Sequence, residues 1–413
     1  MKKTKIVIFS EFYAPINAVQ TFRNLKISKY LAIHGFKQYI FTAESYKNYN
    51  EHLLNDIPND AEIYRKKLYF SKGIENFQSL NLKKNLFSSF LQLIKDIIFP
   101  IDKNFWWVIS FLPTIIKIIK KEHIEYVMIG GYPYSAFWGG YLLKLICKVK
   151  LILDFHDPWK SHPQNIKQSI LRRICFSFCE KLCVKKSDLI SVCTDSVKYE
   201  LIKNYSKNIN VILVPNGFDL DEYKVTSINK KKFIFFYAGQ ISFLSDEYNP
   251  ENLIRTFLCF IEKYKIVDCE LHLAGATDEY TLKKIKNLNK NIIIYEKQPR
   301  FKVLELFNYT DCFIHFHYPN SISNRLSLKI CEYAVCHKPI ISFNIKEGDL
   351  YNFISEHRLG ITVDTHDIDE MIEAFHKAYN KEIKICENPS EELKDFNWSK
   401  ITEVLAENIK TLK

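Results

Sequence analysis

Lys329 and Glu332 stand three residues apart in the stretch KICEYAVCHKPII. Residues at this spacing share one face of a helix. An ammonium group attracts phosphate oxygens, and a carboxylate accepts hydrogen bonds from sugar or ribose hydroxyls. The pair therefore indicates a site that holds a diphosphate at one end and hydroxyls at the other. The alternative is a surface ion pair worth roughly a few tenths of a kcal/mol, which the stretch taken alone favours.

The residues before this pair predict where their helix begins. Ser323 or Asn324 can cap a helix that starts near Arg325. The free backbone N–H groups in the first turn of such a helix form a site for phosphate. Because Arg325 and Lys329 would lie beside that turn, the local charge favours a diphosphate.

Runs of apolar, β-branched residues predict the strands that position this helix. The runs are residues 5–11, 37–43, 126–131, 150–157, 189–194 and 210–216, and then 233–239, 270–275, 291–296, 311–316 and 339–343. Segments with helical periodicity separate them. Continuous apolar strands that alternate with helices indicate a parallel sheet covered on both faces. The sequence therefore predicts the α/β class, with two Rossmann-like parallel-sheet domains.

The length of the chain favours the same division. At 413 residues it exceeds what a single core usually supports. We expect an N-terminal domain at residues 1–216, a hinge at 217–231, a C-terminal domain at 232–390, and a final helix at 391–413 that packs back on the N-terminal domain. In such sheets ligands bind outside the carboxyl ends of the strands, so two facing domains predict an interdomain cleft.

Polar and glycine residues follow the strand ends, as that rule requires. They are residues 11–17 after the first strand, 156–159 after LILDF, 216–219 after VILVP, Gly239 and Gln240 after FIFFYA, and Gly275 after ELHLA. His156 begins the second of these groups. A histidine at a strand end can be structural. It can also lie close to the reacting atoms, since imidazole titrates near neutral pH.

Composition excludes several classes of protein. The net charge of +11 comes from lysines spread along the whole chain, with only eight arginines among 58 basic residues, so we expect no nucleic-acid partner. The eleven cysteines follow no zinc spacing, and Cys175, Cys179 and Cys183 indicate one apolar helix face. The first apolar run is too short for a signal peptide, which predicts a cytoplasmic protein.

The most apolar region covers residues 86–121. Charged residues interrupt it below the length needed to span a bilayer. Trp106 and Trp107, together with Lys120 and Lys121, suit a helix that lies in a membrane interface. The alternative is that the region forms two buried helices of a large domain.

Several motifs in the right order resemble glycosyltransferase family 4, the retaining nucleotide-sugar transferases of the GT-B fold. They are the PNGFD segment after the sixth strand, the strand ends YAG and LAG, and KICEYAVCHKPII. EFYAPINAVQTFRN resembles the family's first strand, loop and helix. LILDFHDPW resembles the DFRDPW variant of bacterial surface-polysaccharide enzymes. The resemblance covers nearly the whole chain.

The resemblance implies site residues on both domains. His156, near the transferred sugar, and Lys329, on the diphosphate, are the expected catalytic residues. Asn17, Arg23 and Asp157 are expected on the acceptor side. The implied donor-binding residues are Gly239, Gln240, Gly275, Asn324, Arg325, Ser327, Leu328, Lys329 and Glu332.

The resemblance also implies the reaction and its partners. The donor is a nucleotide-diphosphate sugar, and the acceptor is a glycan or glycolipid of a capsule, O-antigen or lipopolysaccharide. In this family the leaving diphosphate is thought to assist attack on the same face of the sugar. No metal or other cofactor is then expected, because the protein only has to stabilise the departing diphosphate. Such a protein would be cytoplasmic and peripheral on the inner face of the plasma membrane.

The sequence departs from the family pattern at three places. Asn324 stands where the family commonly has the first of two glutamates, Gln240 is followed by no matching lysine, and Ala18 and Val19 replace a glycine pair. Two alternatives therefore stay open, a nucleotide-sugar 2-epimerase of the same fold and a non-catalytic scaffold. Nucleotide release from a donor, with and without acceptor, distinguishes all three.

Overall fold

The computed structural model describes residues 3–44, 49–68, 96–157, 159–160, 168–223, 230–246, 248–316 and 326–412. The chain forms two compact units. The first unit comprises Met1–Pro215 and Trp398–Lys413, and the second comprises Asn216–Asn397. Part of the predicted hinge, residues 224–229, lies outside the described residues.

The first unit is built on a seven-stranded parallel sheet. Its strands are β1 (Thr4–Phe9), β2 (Phe36–Glu44), β3 (Glu62–Lys67), β4 (Tyr126–Gly130), β5 (Lys150–Phe155), β6 (Leu189–Val192) and β7 (Val211–Leu213). They are arranged in the order β3-β2-β1-β4-β5-β6-β7, and every neighbouring pair is parallel. The central strands are buried along nearly their whole length, which explains their continuous apolar sequence.

The second unit contains a six-stranded parallel sheet. Its strands are β8 (Phe233–Ile241), β9 (Cys269–Ala276), β10 (Ile292–Glu296), β11 (Cys312–Phe316), β12 (Ile340–Phe343) and β13 (Gly360–Val363). Their order is β10-β9-β8-β11-β12-β13. The register of β8 against β9 shifts between Ala238 and Ile241, so a bulge lies at the carboxyl end of both strands. The prediction of two parallel α/β sheets is confirmed.

Helices connect the strands and cover the sheets. They are α1 (Val19–Ile33), α2 (Phe105–Glu122), α3 (Tyr134–Cys147), α4 (Ile170–Lys186), α5 (Asp195–Tyr205), α6 (Glu251–Lys263), α7 (Glu279–Lys286), α8 (Arg300–Tyr309), α9 (Leu328–Ala334), α10 (Gly348–Glu356), α11 (Ile368–Tyr379), α12 (Pro389–Glu392) and α13 (Trp398–Lys410). Short 3-10 turns occur at Glu51–Asp56, Leu220–Glu222 and Lys394–Phe396. Within the first unit, the final helix α13 packs against α1.

Helix α2 forms part of the core of the first unit. Trp107, Phe111 and Ile115 are buried and belong to the hydrophobic cluster beneath the sheet. The indole N–H of Trp107 donates to the carbonyl oxygen of Lys66 at 3.1 Å. Trp106 is 45% exposed. The prediction that both tryptophans face a membrane is therefore wrong for Trp107, because the sheet needs this face of α2 for its own core.

Two further sequence predictions concern single helices. Cys175, Cys179 and Cys183 lie along α4, and Cys179 and Cys183 are buried, so their assignment to an apolar helix face is confirmed. Residues 86–95 of the apolar region lie outside the described residues. In the part of the chain that the structure describes, no helix combines the length and the apolar character needed to cross a bilayer.

Candidate functional site

Two glycines bring the carboxyl ends of β8 and β9 close together in the second unit. Gly275 has φ +125, a conformation that favours glycine, and a Cβ there would clash with the carbonyl oxygen of Gly239. A Cβ at Gly239 would clash with the hydroxyl of Tyr237 and would lie 2.7 Å from Nζ of Lys329. The bulge in β8 and this close packing leave room for the lysine at the strand ends.

Lys329 is held against these strand ends by an aromatic ring. Its Nζ lies 4.8 Å from the ring centroid of Tyr237, a cation–π contact, and the Tyr237 side chain is buried. The structure thus brings together three of the predicted donor-binding residues, Gly239, Gly275 and Lys329. The side chain of Gln240, the next residue in β8, is exposed.

Glu332 lies one turn further along α9 and pairs with Arg300, a residue with no predicted role. Only 11% of its side chain is exposed. Nη1 of Arg300 donates to Oε1 of Glu332, and Nη2 donates to Oε2 of Glu222 at 2.6 Å. The alternative of an exposed ion pair between Lys329 and Glu332 is therefore wrong, since Glu332 is buried and paired with Arg300.

Helix α9 begins later than predicted. It starts at Leu328, with Ser327 at the N-cap position in an extended conformation, so the expected start near Arg325 is wrong. The predicted donor-binding residues Asn324 and Arg325 lie outside the described residues, as does the predicted cap Ser323. Because α9 has only seven residues, its dipole is short, and Lys329 supplies the positive charge at this site.

In the first unit, His156 is part of a buried polar cluster around Asp154. Nε2 of His156 lies 2.8 Å from Oδ2 of Asp154. Arg23 donates to both oxygens of Asp154, from Nε at 2.9 Å and from Nη2 at 2.7 Å, and the Ser191 hydroxyl donates at 2.7 Å. Burial raises the pKa of Asp154, but the charges of Arg23 and His156 outweigh it and hold this pKa well below its usual range.

This cluster fixes the orientation of the imidazole. Only 13% of the His156 side chain is exposed. Gly131 has φ +60, and a Cβ there would lie 2.7 Å from Nδ1 of His156, so the ring packs directly on the glycine backbone. Asp157, the next residue, is half-buried. The ring is thus held at the carboxyl end of β5, next to the end of β4.

Arg23 is buried inside the first unit, although the sequence predicted it on the acceptor side of the site. Its side chain is 3% exposed, and besides Asp154 it donates to the carbonyl oxygens of Val214 at 2.7 Å and Pro215 at 3.0 Å. Arg23 therefore holds the segment after β7 against the sheet. Asn17, the other predicted acceptor-side residue in this part of the chain, is half-buried in the loop before α1.

Two buried acids that were not among the predicted site residues, Glu11 and Asp102, interact with each other in the first unit. Glu11 is buried, and burial together with the charge of Asp102 raises its pKa to about 8. Nδ2 of Asn104 donates to Oε2 of Glu11 at 2.5 Å. The backbone N–H and the hydroxyl of Ser135 both donate to Asp102, each at 2.7 Å, while burial raises the pKa of Asp102. The one sequence signal for Glu11 is its position two residues after the end of β1.

The described ranges contain no group of three or more His, Cys, Asp or Glu side chains that could hold a metal ion. Metal independence stays a prediction.

Two family models match the chain in succession, and their ranges overlap at residues 220–222. The model described as Glycosyltransferase Family 4 matches residues 25–222, and the model described as Glycosyl transferases group 1 matches residues 220–396. No curated protein sequence matches the chain.

Solved structures with similar folds align over nearly the whole chain. Sucrose-phosphate synthase from Thermosynechococcus elongatus is 15% identical, with a TM-score of 0.70 and 99% of each chain covered. WaaG, a glycosyltransferase involved in lipopolysaccharide biosynthesis, is 13% identical, with a TM-score of 0.64, and the alignment covers 98% of this chain and 100% of WaaG. UDP-GlcNAc 2-epimerase from Methanocaldococcus jannaschii is 14% identical, with a TM-score of 0.58 and coverage of 98% and 99%. At these identities the likeness shows the fold alone.

Proposed function

Because the chain belongs to the family 4 glycosyltransferases of the GT-B fold, we propose that it is a retaining enzyme that builds a lipid-linked surface glycan. The donor is a nucleotide-diphosphate sugar, and the transferred sugar keeps its anomeric configuration. The similarity to WaaG, which acts in lipopolysaccharide biosynthesis, supports an acceptor of this class.

The observation that carries this proposal is the position of Lys329 at the ends of β8 and β9. The contact with Tyr237 holds the ammonium group beside Gly239, where a side chain on residue 239 would lie 2.7 Å from Nζ of Lys329. Charge on the diphosphate grows as the glycosidic bond breaks, so a fixed cation here stabilises the transition state more than the bound donor. Glu332, one turn away, accepts hydrogen bonds from the ribose.

We assign the reacting end of the donor to His156 in the first unit. Asp154 holds the ring through Nε2, which leaves Nδ1 as the second polar atom of the imidazole. The leaving diphosphate assists the attack of the acceptor hydroxyl on the same face of the sugar, and no metal takes part. His156 then orients the sugar.

We further propose that the protein is cytoplasmic and binds an anionic membrane surface through α4 instead of α2. Three apolar side chains at helical spacing point outward from α4, with Ile170 75%, Ile174 63% and Phe178 59% exposed. They line a pocket of about 780 Å³, whose charged lining residues are Lys160, Arg173, Lys181 and Glu200. An apolar helix face with more basic than acidic side chains beside it favours the interface of an anionic bilayer.

Vesicle binding tests this surface. Vesicles with anionic lipid should bind the wild type, less tightly as salt rises, and an Ile174→Ser, Phe178→Ser double variant should bind more weakly while it melts normally. The control is Val267→Ser in the second unit, a change at an apolar residue that is 80% exposed, and it should leave binding unchanged. Binding that ignores salt and the double variant would remove the membrane proposal.

A second candidate function is epimerisation at C2 of a nucleotide sugar. The similarity of fold to the 2-epimerase from Methanocaldococcus jannaschii favours it. Such a reaction leaves the bond between sugar and diphosphate intact in the product, whereas transfer releases nucleoside diphosphate.

A panel of nucleotide sugars separates the two functions. Each donor is incubated with the protein, with and without extracted membrane glycolipid, and the sugar and nucleotide are followed by NMR. Acceptor-dependent release of nucleoside diphosphate supports transfer. A new nucleotide sugar without release supports the epimerase, and recovery of every donor unchanged contradicts both.

A further inference from the structure

Arg300 joins two acidic side chains in the second unit. It is the first residue of α8, and 19% of its side chain is exposed. Nη1 donates to Glu332 on α9, while Nη2 donates to Glu222 at 2.6 Å and contacts the Tyr223 hydroxyl at 3.5 Å. One guanidinium therefore connects α9 with the 3-10 turn Leu220–Glu222.

We propose that Arg300 is a positioning residue that fixes the Glu332 carboxylate in the orientation that receives the ribose hydroxyls of the donor nucleotide. This inference rests on the proposed function, in which Glu332 binds the ribose.

A glutamate alone holds a diol poorly. The terminal torsion of a glutamate side chain is broad, so its two oxygens sample many orientations. The bond from Arg300 reaches Oε1 of Glu332 and restricts that rotation. A carboxylate has about four lone-pair sites, so one bond to Arg300 leaves capacity for two hydroxyl donors. Arg300 thus reduces the ordering entropy that ribose binding would otherwise cost.

The site requires an arginine because two carboxylates share one cation. Glu222 and Glu332 both carry negative charge and both approach Arg300, so without a cation they would repel each other. Burial lowers the pKa of Arg300, but the charges of Glu332 and Glu222 outweigh burial and raise it, so the guanidinium stays charged. Its planar fork presents two separate N–H directions, whereas a lysine ammonium is a single point of charge.

The test measures how strongly the protein distinguishes ribose from deoxyribose. Calorimetry gives Kd for UDP, ADP, GDP and CDP, and then for the 2′-deoxy and 3′-deoxy forms of the tightest binder. The ratio of deoxy to ribo Kd should be about tenfold or more in the wild type, the value of one hydrogen bond to a charged group. Glu332→Ala should bring that ratio close to one.

The decisive variant is Arg300→Lys, which keeps the charge and removes the fork. Its ratio should fall at least about threefold below that of the wild type, because a loosely oriented carboxylate discriminates less. Arg255→Lys, the same change at an exposed position on α6, should keep the wild-type ratio. Arg300→Gln, which retains a planar N–H donor, replaces the lysine variant if circular dichroism shows that the latter is unfolded.

Each outcome bears on one claim. Suppose that the ratio of deoxy to ribo Kd stays at the wild-type value in Arg300→Lys but falls close to one in Glu332→Ala. This result overturns the positioning role of Arg300 and leaves the ribose site intact. A normal ratio in Glu332→Ala, or no binding of any of the four nucleotides, overturns the nucleotide site itself. A merely structural Arg300 would weaken the ribo and deoxy ligands equally, which also contradicts the inference.

Discussion

Replacing Glu11 by Gln is expected to remove a pH-dependent loss of stability from the first unit. Burial and the charge of Asp102 raise the pKa of Glu11 from 4.5 to about 8. Because the folded state holds this proton more tightly than the unfolded chain, the stabilisation is complete below pH 4.5 and is lost as the pH rises through 8. Gln stays neutral throughout and can still accept the hydrogen bond from Asn104.

The size of the effect follows from the two pKa values of Glu11. Their difference of about 3.5 corresponds to at most about 5 kcal/mol of unfolding free energy. Asp102 titrates beside Glu11, so the measurement reports on the pair. We expect the free energy of unfolding of the wild type, relative to Glu11→Gln, to fall by about 2 to 5 kcal/mol between pH 4.5 and pH 9.

Tryptophan fluorescence in urea is the assay, because it observes the first unit selectively. All five tryptophans of the chain, Trp106, Trp107, Trp138, Trp159 and Trp398, belong to that unit. The control is Glu125→Gln, a change at an exposed position of the same unit. If the difference between wild type and Glu11→Gln stays constant within about 0.5 kcal/mol over this pH range, Glu11 is ionised in the folded protein and the reasoning fails.

Two further predictions concern the first unit. Trp107→Ser should cost about 3 to 5 kcal/mol of unfolding free energy, because Trp107 is buried in the core. Trp106→Ser should cost about 1 kcal/mol or less, since Trp106 is 45% exposed. Equal losses in urea unfolding would contradict the assignment of Trp107 to the core. His156→Ala should reduce turnover by about 100-fold with little change in donor Kd, and turnover within about threefold of the wild type would make His156 structural.

The strands could be predicted from the sequence wherever both faces are buried. All eleven apolar runs correspond to strands, and the two family models confirm the resemblance to family 4 glycosyltransferases. The strands β3 and β13 were not predicted. Both lie at sheet edges and are largely half-buried, and the sequence EIYRKK of β3 is mostly polar because an edge strand needs no continuous apolar run.

Only those site residues that lie at the carboxyl ends of the strands in one sheet could be predicted from the sequence. Gly239, Gly275 and Lys329 meet because parallel strands bring their carboxyl ends to one edge. The partner of Glu332 could not be predicted, because Arg300 lies 32 residues earlier and only the packing of α8 beside α9 brings them together. The spacing within one helix offered only Lys329 as an alternative partner for Glu332.

The pairing of Arg23 with Asp154 shows the same limit over a longer distance. The two residues are 131 positions apart. Asp154 lies within the apolar run LILDF, and a carboxylate in a buried strand requires a partner. That signal predicts a buried cation, but the sequence offers no means of choosing Arg23 from the other basic residues.

Turnover of the Lys329→Ala variant tests the central claim most directly. Release of nucleoside diphosphate is measured with the donor and acceptor that the wild type uses, beside Lys290→Ala, an exposed lysine of the same unit. We predict that Lys329→Ala loses at least about 100-fold in turnover with a smaller change in donor Kd, and that Lys290→Ala matches the wild type. Turnover of Lys329→Ala within about threefold of the wild type would contradict the claim that this lysine stabilises the departing diphosphate.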